Sequence, residues 1–369
     1  MFLRSKAGPR RGLLLCLFVL ALITAIIGVP FHYNTKAAGE KRNGLNQRTV
    51  SEEAAYPNFD IREHAAGEAV DVFAGYRSAA GRDASFVAGI REAFVQGENQ
   101  LRTKIPTLAV EYNNDIRIPE VIGPDPVKGR TFLTAATRPA GKKHADVLIN
   151  FLKENNSLVG TTNQQIDALK VFADYTNPDG NLSWVELEQY IHGIPVFRGN
   201  VKAGFTKQGE LIRVVNNLAP GLDYDSLSTN FGDPIDAVRY AAPHANYRLK
   251  TNDALPNRAV SSNLKVRFGA GGDWDITAEK MYFPTEPGVA VPAWRVLIWK
   301  PINAYYVIVD AHTGTMLWRK NLANDQTQSA TYNVYGNSNS WMDTARSPAP
   351  LAPGPLDPSL GTQGAPIAR

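Results

Sequence analysis

Among 369 residues there is one cysteine, Cys16, and it sits inside an apolar run, so the chain can form no internal disulfide. Its stability must come from packing. Histidine is scarce too: none of His32, His64, His144, His192, His244 and His312 is followed by Glu, and no two stand four residues apart. A helix bearing His-Glu-x-x-His, which places two zinc ligands and a water-activating carboxylate on one face, is therefore absent, and no metal site is assigned. The chain lacks a glycine-rich phosphate loop and a nucleophile elbow as well, and Gly269-Ala-Gly-Gly-Asp273 has the wrong spacing for dinucleotide binding. Nothing nominates a catalytic group. Excess positive charge is missing once the first residues are set aside: Arg4, Lys6, Arg10 and Arg11 precede the apolar run, and the rest carries 35 basic against 35 acidic residues. Nucleic-acid binding has no electrostatic support.

What is present begins with those four charges and the run from Gly12 to Phe31, the arrangement of a secretory signal peptide or an uncleaved signal anchor. Either reading exports the chain, as a secreted protein or one anchored outside the cytoplasm, with membrane contact only through residues 12–31. A polar spacer over 32–50 follows. The 51–126 region reads as helical and extended. In its second helix Phe86, Val87, Ile90, Phe94 and Val95 recur at helical spacing behind a capping Asp83 or Ser85. Leu108 to Ile118 reads as extended, and Pro119, Pro124 and Pro126 as a linker.

The densest signal lies between Val185 and Val215. Val185, Leu187, Gln189 and Ile191 alternate with Glu186, Glu188 and Tyr190, His192-Gly193 breaks the strand, and Phe197, Val201, Ala203 and Phe205 resume the period. A second turn at Thr206-Lys-Gln-Gly209 leads into Leu211 to Val215. This is an antiparallel meander with one face buried. Upstream, Ala145 to Leu152 and Leu169 to Val171 are similar to the leading helix and the entering strand of the propeptide family that this meander resembles. Between them and the meander, Asn177-Pro-Asp-Gly180 with Glu186 approaches the spacing of a calcium loop, but Tyr175 stands where the opening carboxylate belongs, so a hairpin turn is expected.

The segment Gln189-Tyr-Ile-His-Gly-Ile-Pro-Val-Phe197 resembles the fungalysin/thermolysin propeptide motif, a Q-x-x-x-G-x-P-V-F core followed by strand, glycine turn and strand. Further on, Met281-Tyr-Phe-Pro284, Ala293-Trp-Arg-Val296 and Val307 to Gly314 are similar to the PepSY-like half of fungalysin propeptides. The resemblance spans roughly residues 105 to 345. It implies domains at 127–223 for the motif and 224–325 for the PepSY-like half, with a proline-rich junction over 326–369. The implied fold is α+β: two consecutive modules of antiparallel sheet packed on helices, after the N-terminal segment and helical region. Strands are expected at 264–268, 280–283, 293–300, 304–310 and 315–319, and a helix opens at Asp233-Pro234.

The implied function is the propeptide part of an exported zinc metalloendopeptidase, assisting the folding of the peptidase domain and inhibiting it in cis or trans. The motif residues are then Gln189, Tyr190, Gly193, Pro195 and Phe197. Zinc would belong to the family's catalytic domain, so this chain takes no cofactor and is expected to be inactive, the front part of a longer precursor. The alternative is an autonomous exported module that inhibits proteases or binds the envelope. His192, inside the motif, reads as a solvated turn residue in preference to a pH sensor.

Overall fold

A computed structural model describes residues 55–322, except 130, 138–142, 179, 181, 258–260, 271–274 and 301–302. The apolar run, the spacer, the proline-rich tail and most of the Gly269–Asp273 loop fall outside the described residues. The architecture is α+β: among the described residues twelve strands join into one mixed sheet and six α-helices pack on it.

The meander forms as its alternation dictates. Strand β5 (Leu182–Ile191), β6 (Ile194–Thr206) and β7 (Leu211–Asn216) pair antiparallel, with Val185 opposite Ala203 and Ala203 opposite Val214. Their inward side chains are buried. Helix α3 (His144–Glu154) covers them, because Leu148, Phe151 and Leu152 share one face and meet Leu187, Val201, Phe205 and Val214. Strand β4 (Lys170–Thr176) flanks β5 through the Asn177–Gly180 turn, where the Asn177 side chain accepts from the Leu182 N–H at 3.1 Å.

On the far side, β2 (Leu108–Tyr112) and β3 (Pro119–Pro124) extend this sheet through β7. The stretch expected as a linker is thus a strand. Prolines remain compatible because they occupy its two ends, while the interior pair Val121 and Ile122 bonds to Val215 and Val214.

A second set of strands follows: β8 (Lys265–Phe268), β9 (Ile276–Glu286), β10 (Val289–Trp299), β11 (Ala304–Asp310) and β12 (Met316–Asn321). These run in antiparallel order with the two-residue β1 (Phe59–Asp60) closing the edge beside β12. Both faces are covered, which is why the sequence here is apolar almost without alternation. Helix α6 (Pro234–His244), capped by the Asp233 side chain, packs Val238 and Ala241 against Tyr282, Trp294 and Val307. Helix α1 (Val70–Ala79) packs Phe73 and Tyr76 on the other face, over Met281, Phe283 and Ile308.

Helix α2 (Ala84–Lys104) starts at Asp83, whose carboxylate accepts from the Phe86 N–H at 2.8 Å. Val87 and Phe94 are buried as their spacing predicts, but Val95 is 52 % exposed because it lies a further 100° around the helix. The short helices α4 (Asn156–Val159) and α5 (Asn163–Asp167) complete the set. The region 51–126, expected ahead of both modules and described from residue 55, contributes to each group of strands: β1 and α1 to the second, β2 and β3 to the first.

Candidate functional site

The β5–β6 hairpin turns in two residues. Ile191 pairs with Ile194, and both residues between them have positive φ, 51° at His192 and 78° at Gly193, the geometry of a type I′ turn. Gly193 adopts this freely. His192 takes it with a Cβ, at some cost, and its side chain is exposed to solvent.

Three residues back, Gln189 is 1 % exposed and fully engaged. Its Oε1 accepts from the Ala219 N–H at 2.8 Å, while Nε2 donates to the Ala219 carbonyl at 3.1 Å and to the Tyr224 hydroxyl at 2.9 Å. This side chain acts as a clamp. It fastens the hairpin to the segment that leads from β7 into the second group of strands, and burial raises the pKa of the Tyr224 phenol.

Opposite Gln189 the register breaks. Glu188 pairs with Asn200 and Tyr190 with Pro195, so one residue of β5 faces the four residues Val196 to Gly199. A bulge of this size redirects the strand. Val196 pairs in parallel with Tyr282 of β9, the one ladder among the described residues that joins the two groups of strands. Val196 enters the core under α6, and Phe197 enters the core under α1. Arg198 completes the reversal at φ 56°, and Gly199 leaves no room for a Cβ, which would stand 2.7 Å from the Val196 side chain and 3.1 Å from Gln189 Oε1.

Phe197 stacks on Phe283 at 5.1 Å between centroids and meets Trp318 at 5.2 Å. Behind it lies Arg62, 4 % exposed, whose guanidinium bonds Asp60 at 2.7 Å and Asp115 at 2.8 Å and lies 5.0 Å from the Phe283 centroid. Arg198 reaches the same Asp115 at 3.5 Å. A polar cleft of about 350 Å³ opens beside this network, lined in part by Glu63, Asn113, Glu120, Arg198 and Lys320.

Tyr190 points to the other face. Its hydroxyl donates to Glu188 at 2.9 Å, the Lys170 ammonium sits 3.8 Å from its ring centroid, and burial followed by the Glu188 contact raises its pKa. Pro195 is half-buried beside the turn. Of the motif residues, then, Gln189 and Phe197 are internal, Gly193 shapes the turn, and Tyr190 and Pro195 reach the surface. The outward face of β4 and β5 is unusually apolar for a surface: Phe172, Tyr175, Leu182 and Trp184 are exposed, Tyr175 and Trp184 are cross-strand neighbours, and among the described residues β4 pairs only with β5.

Among the described residues no group of three His, Cys, Asp or Glu side chains is placed to hold a metal ion, and no helix is long and apolar enough to cross a membrane. Tyr224, Arg62 and Asp115 were not legible as parts of the site. Their distance from the motif along the chain removes any local signal.

Residues 167–218 match the family model described as the Fungalysin/Thermolysin Propeptide Motif. The match runs from the end of α5 through β4, β5, β6 and β7, so the chain carries that motif as a folded meander. No match was found among curated proteins. Among solved structures the chain is similar to the Bacillus megaterium YpeB C-terminal domain, at 12 % identity over 58 % of this chain and 76 % of that one, with a TM-score of 0.23.

Proposed function

We propose that this chain is the propeptide part of an exported thermolysin-like zinc peptidase, acting as folding assistant and inhibitor of the peptidase domain. The observation that carries this reading is the propeptide motif at residues 167–218. Zinc and the catalytic residues then belong to the partner domain, and the β-rich continuation over 264–321 takes the place of the PepSY-like half. The exposed apolar face of β4 and β5 supports a protein partner, since Phe172, at 65 % exposure, and its neighbours leave apolar surface for that partner to cover. A preformed sheet with an open edge gives a slowly folding domain a template, and tethering in cis raises its effective concentration.

The test is to refold a denatured thermolysin-type peptidase with and without the full chain, then titrate the chain against the folded enzyme. A higher yield of active enzyme and a saturable loss of activity are expected, both weakened in Phe172→Ser and Trp184→Ser while the melting temperature holds. No effect on either measurement with the chain in excess would refute the proposal.

A further inference from the structure

The polar cleft beside Arg62 lies at the seam between the two groups of strands, and the propeptide role makes no use of it. Its walls come from β1, the turn Ile61–His64, the loop between β2 and β3, the bulge in β6, and β12. These walls are fixed by the fold itself. Arg62 bonds Asp60 at 2.7 Å and Asp115 at 2.8 Å, Arg198 reaches Asp115 at 3.5 Å, and Arg319 donates to the Pro57 carbonyl at 2.9 Å. On the opposite wall the Asn217 N–H donates to the Asn200 carbonyl at 2.8 Å. The loop is closed at Asn113, whose N–H donates to the Ile118 carbonyl at 3.0 Å and whose Oδ1 accepts from the Ile118 N–H at 3.2 Å.

Into this space point polar groups that the fold does not use. Asn113 is 9 % exposed and its Oδ1 is taken, yet its Nδ2 donates to nothing among the described residues. The side chains of Glu63, Asn114, Glu120 and Asn217 likewise have no hydrogen bond or ion pair among the described residues. Ten of the thirteen residues lining the cleft carry a planar amide, carboxylate or guanidinium. Each such group sets two polar atoms side by side, which suits neighbouring hydroxyls on a sugar ring, because a hydroxyl both donates and accepts. Charge is balanced: Glu63 and Glu120 stand against Lys320 and Arg319, while Asp60 and Asp115 are held by Arg62 and Arg198. A strongly charged ligand would therefore find no surplus of the opposite sign. Phe59 and Trp318 add apolar ring surface for the C–H face of a sugar. The volume, about 350 Å³, lies at the small end of the range for small-molecule sites.

We propose that this cleft binds an uncharged saccharide of one or two rings, held by the side chains of Asn113, Asn114, Glu120 and Asn217. An uncharged peptide fits less well, since apart from Phe59 and Trp318 no apolar side chain lines the cleft to receive its side chains. The site does not depend on the propeptide reading.

The experiment titrates the full chain by calorimetry with cellobiose, maltose and N,N′-diacetylchitobiose. An uncharged peptide, N-acetyl-trialanine amide, is titrated beside them, and sorbitol sets the baseline for general exclusion of polyols from the protein surface. At least one of the disaccharides should bind saturably, with a single equivalent per chain, and the peptide should not. Glu120→Ala and Asn114→Ala each remove hydrogen bonds to the ligand and should weaken that binding by about tenfold or more. Both variants should melt with the unaltered chain, because neither side chain bonds within the fold. The proposal is overturned if none of the three disaccharides binds saturably, if either variant keeps the full affinity, or if the peptide binds in their place.

Discussion

Replacing Gln189 by Met tests whether the most specific residue of the motif serves the fold or the partner. Methionine keeps the length and volume of the side chain and removes its three hydrogen bonds, to the Ala219 N–H, the Ala219 carbonyl and the Tyr224 hydroxyl. Ala219 is 2 % exposed, so both of its backbone groups would be stranded away from water. Each orphaned buried group costs about 1–2 kcal/mol, whereas the half-buried Tyr224 hydroxyl can turn to solvent, so the loss is about 3 kcal/mol. Over a domain of this size that lowers the melting temperature by about 6–12 °C. Calorimetry on the full chain reads this directly. Tyr224→Phe should cost less, about 1 kcal/mol, and the double variant should show coupling between the two positions. An unchanged melting temperature in Gln189→Met, with inhibition of the peptidase lost, would sink the clamp and make Gln189 a contact residue instead.

Gly193→Val should destabilise by about 2 kcal/mol through backbone conformation alone, because a Cβ there meets nothing within 4 Å; Gly193→Asn, which tolerates the left-handed region, should recover most of it, and equal melting of all three proteins would count against the turn geometry. Arg62→Met should cost about 3 kcal/mol by leaving the buried Asp60 without its cation and Asp115 with only the longer Arg198 contact, measured by urea unfolding, where an unshifted midpoint would show that the pair is not buried in solution. Burial opposes ionisation of Glu279, but Lys265 at 2.5 Å and Arg295 outweigh it and hold the carboxyl below its ordinary value of 4.5. A depressed folded pKa contributes stability above pH 4.5 that is lost as the pH falls through the folded value. Glu279→Gln should therefore melt lower than the unaltered protein at pH 7, with the gap closing below pH 4.5, and a gap independent of pH would contradict the assignment.

The sequence alone determined the elements whose residues repeat with a local period. Alternation from Val185 to Ile191 specifies a half-buried strand, His192-Gly193 its turn, Asp83 and Asp233-Pro234 the starts of α2 and α6, because each signal depends on neighbours within one turn or one hairpin. What only the tertiary structure decided are the contacts that close over long stretches of chain. The bulge from Val196 to Gly199 reads locally as continued strand, and it becomes a junction because β9, some eighty residues later, pairs with Val196. Gln189 looks like a polar residue on an apolar face until Ala219 and Tyr224 arrive to satisfy it. Pro119 to Pro124 looks like a linker until β7 supplies an edge whose bonds avoid the proline nitrogens. Local chemistry sets the period and the turns; the pairing of distant strands and charges is settled by which surfaces can be buried at once.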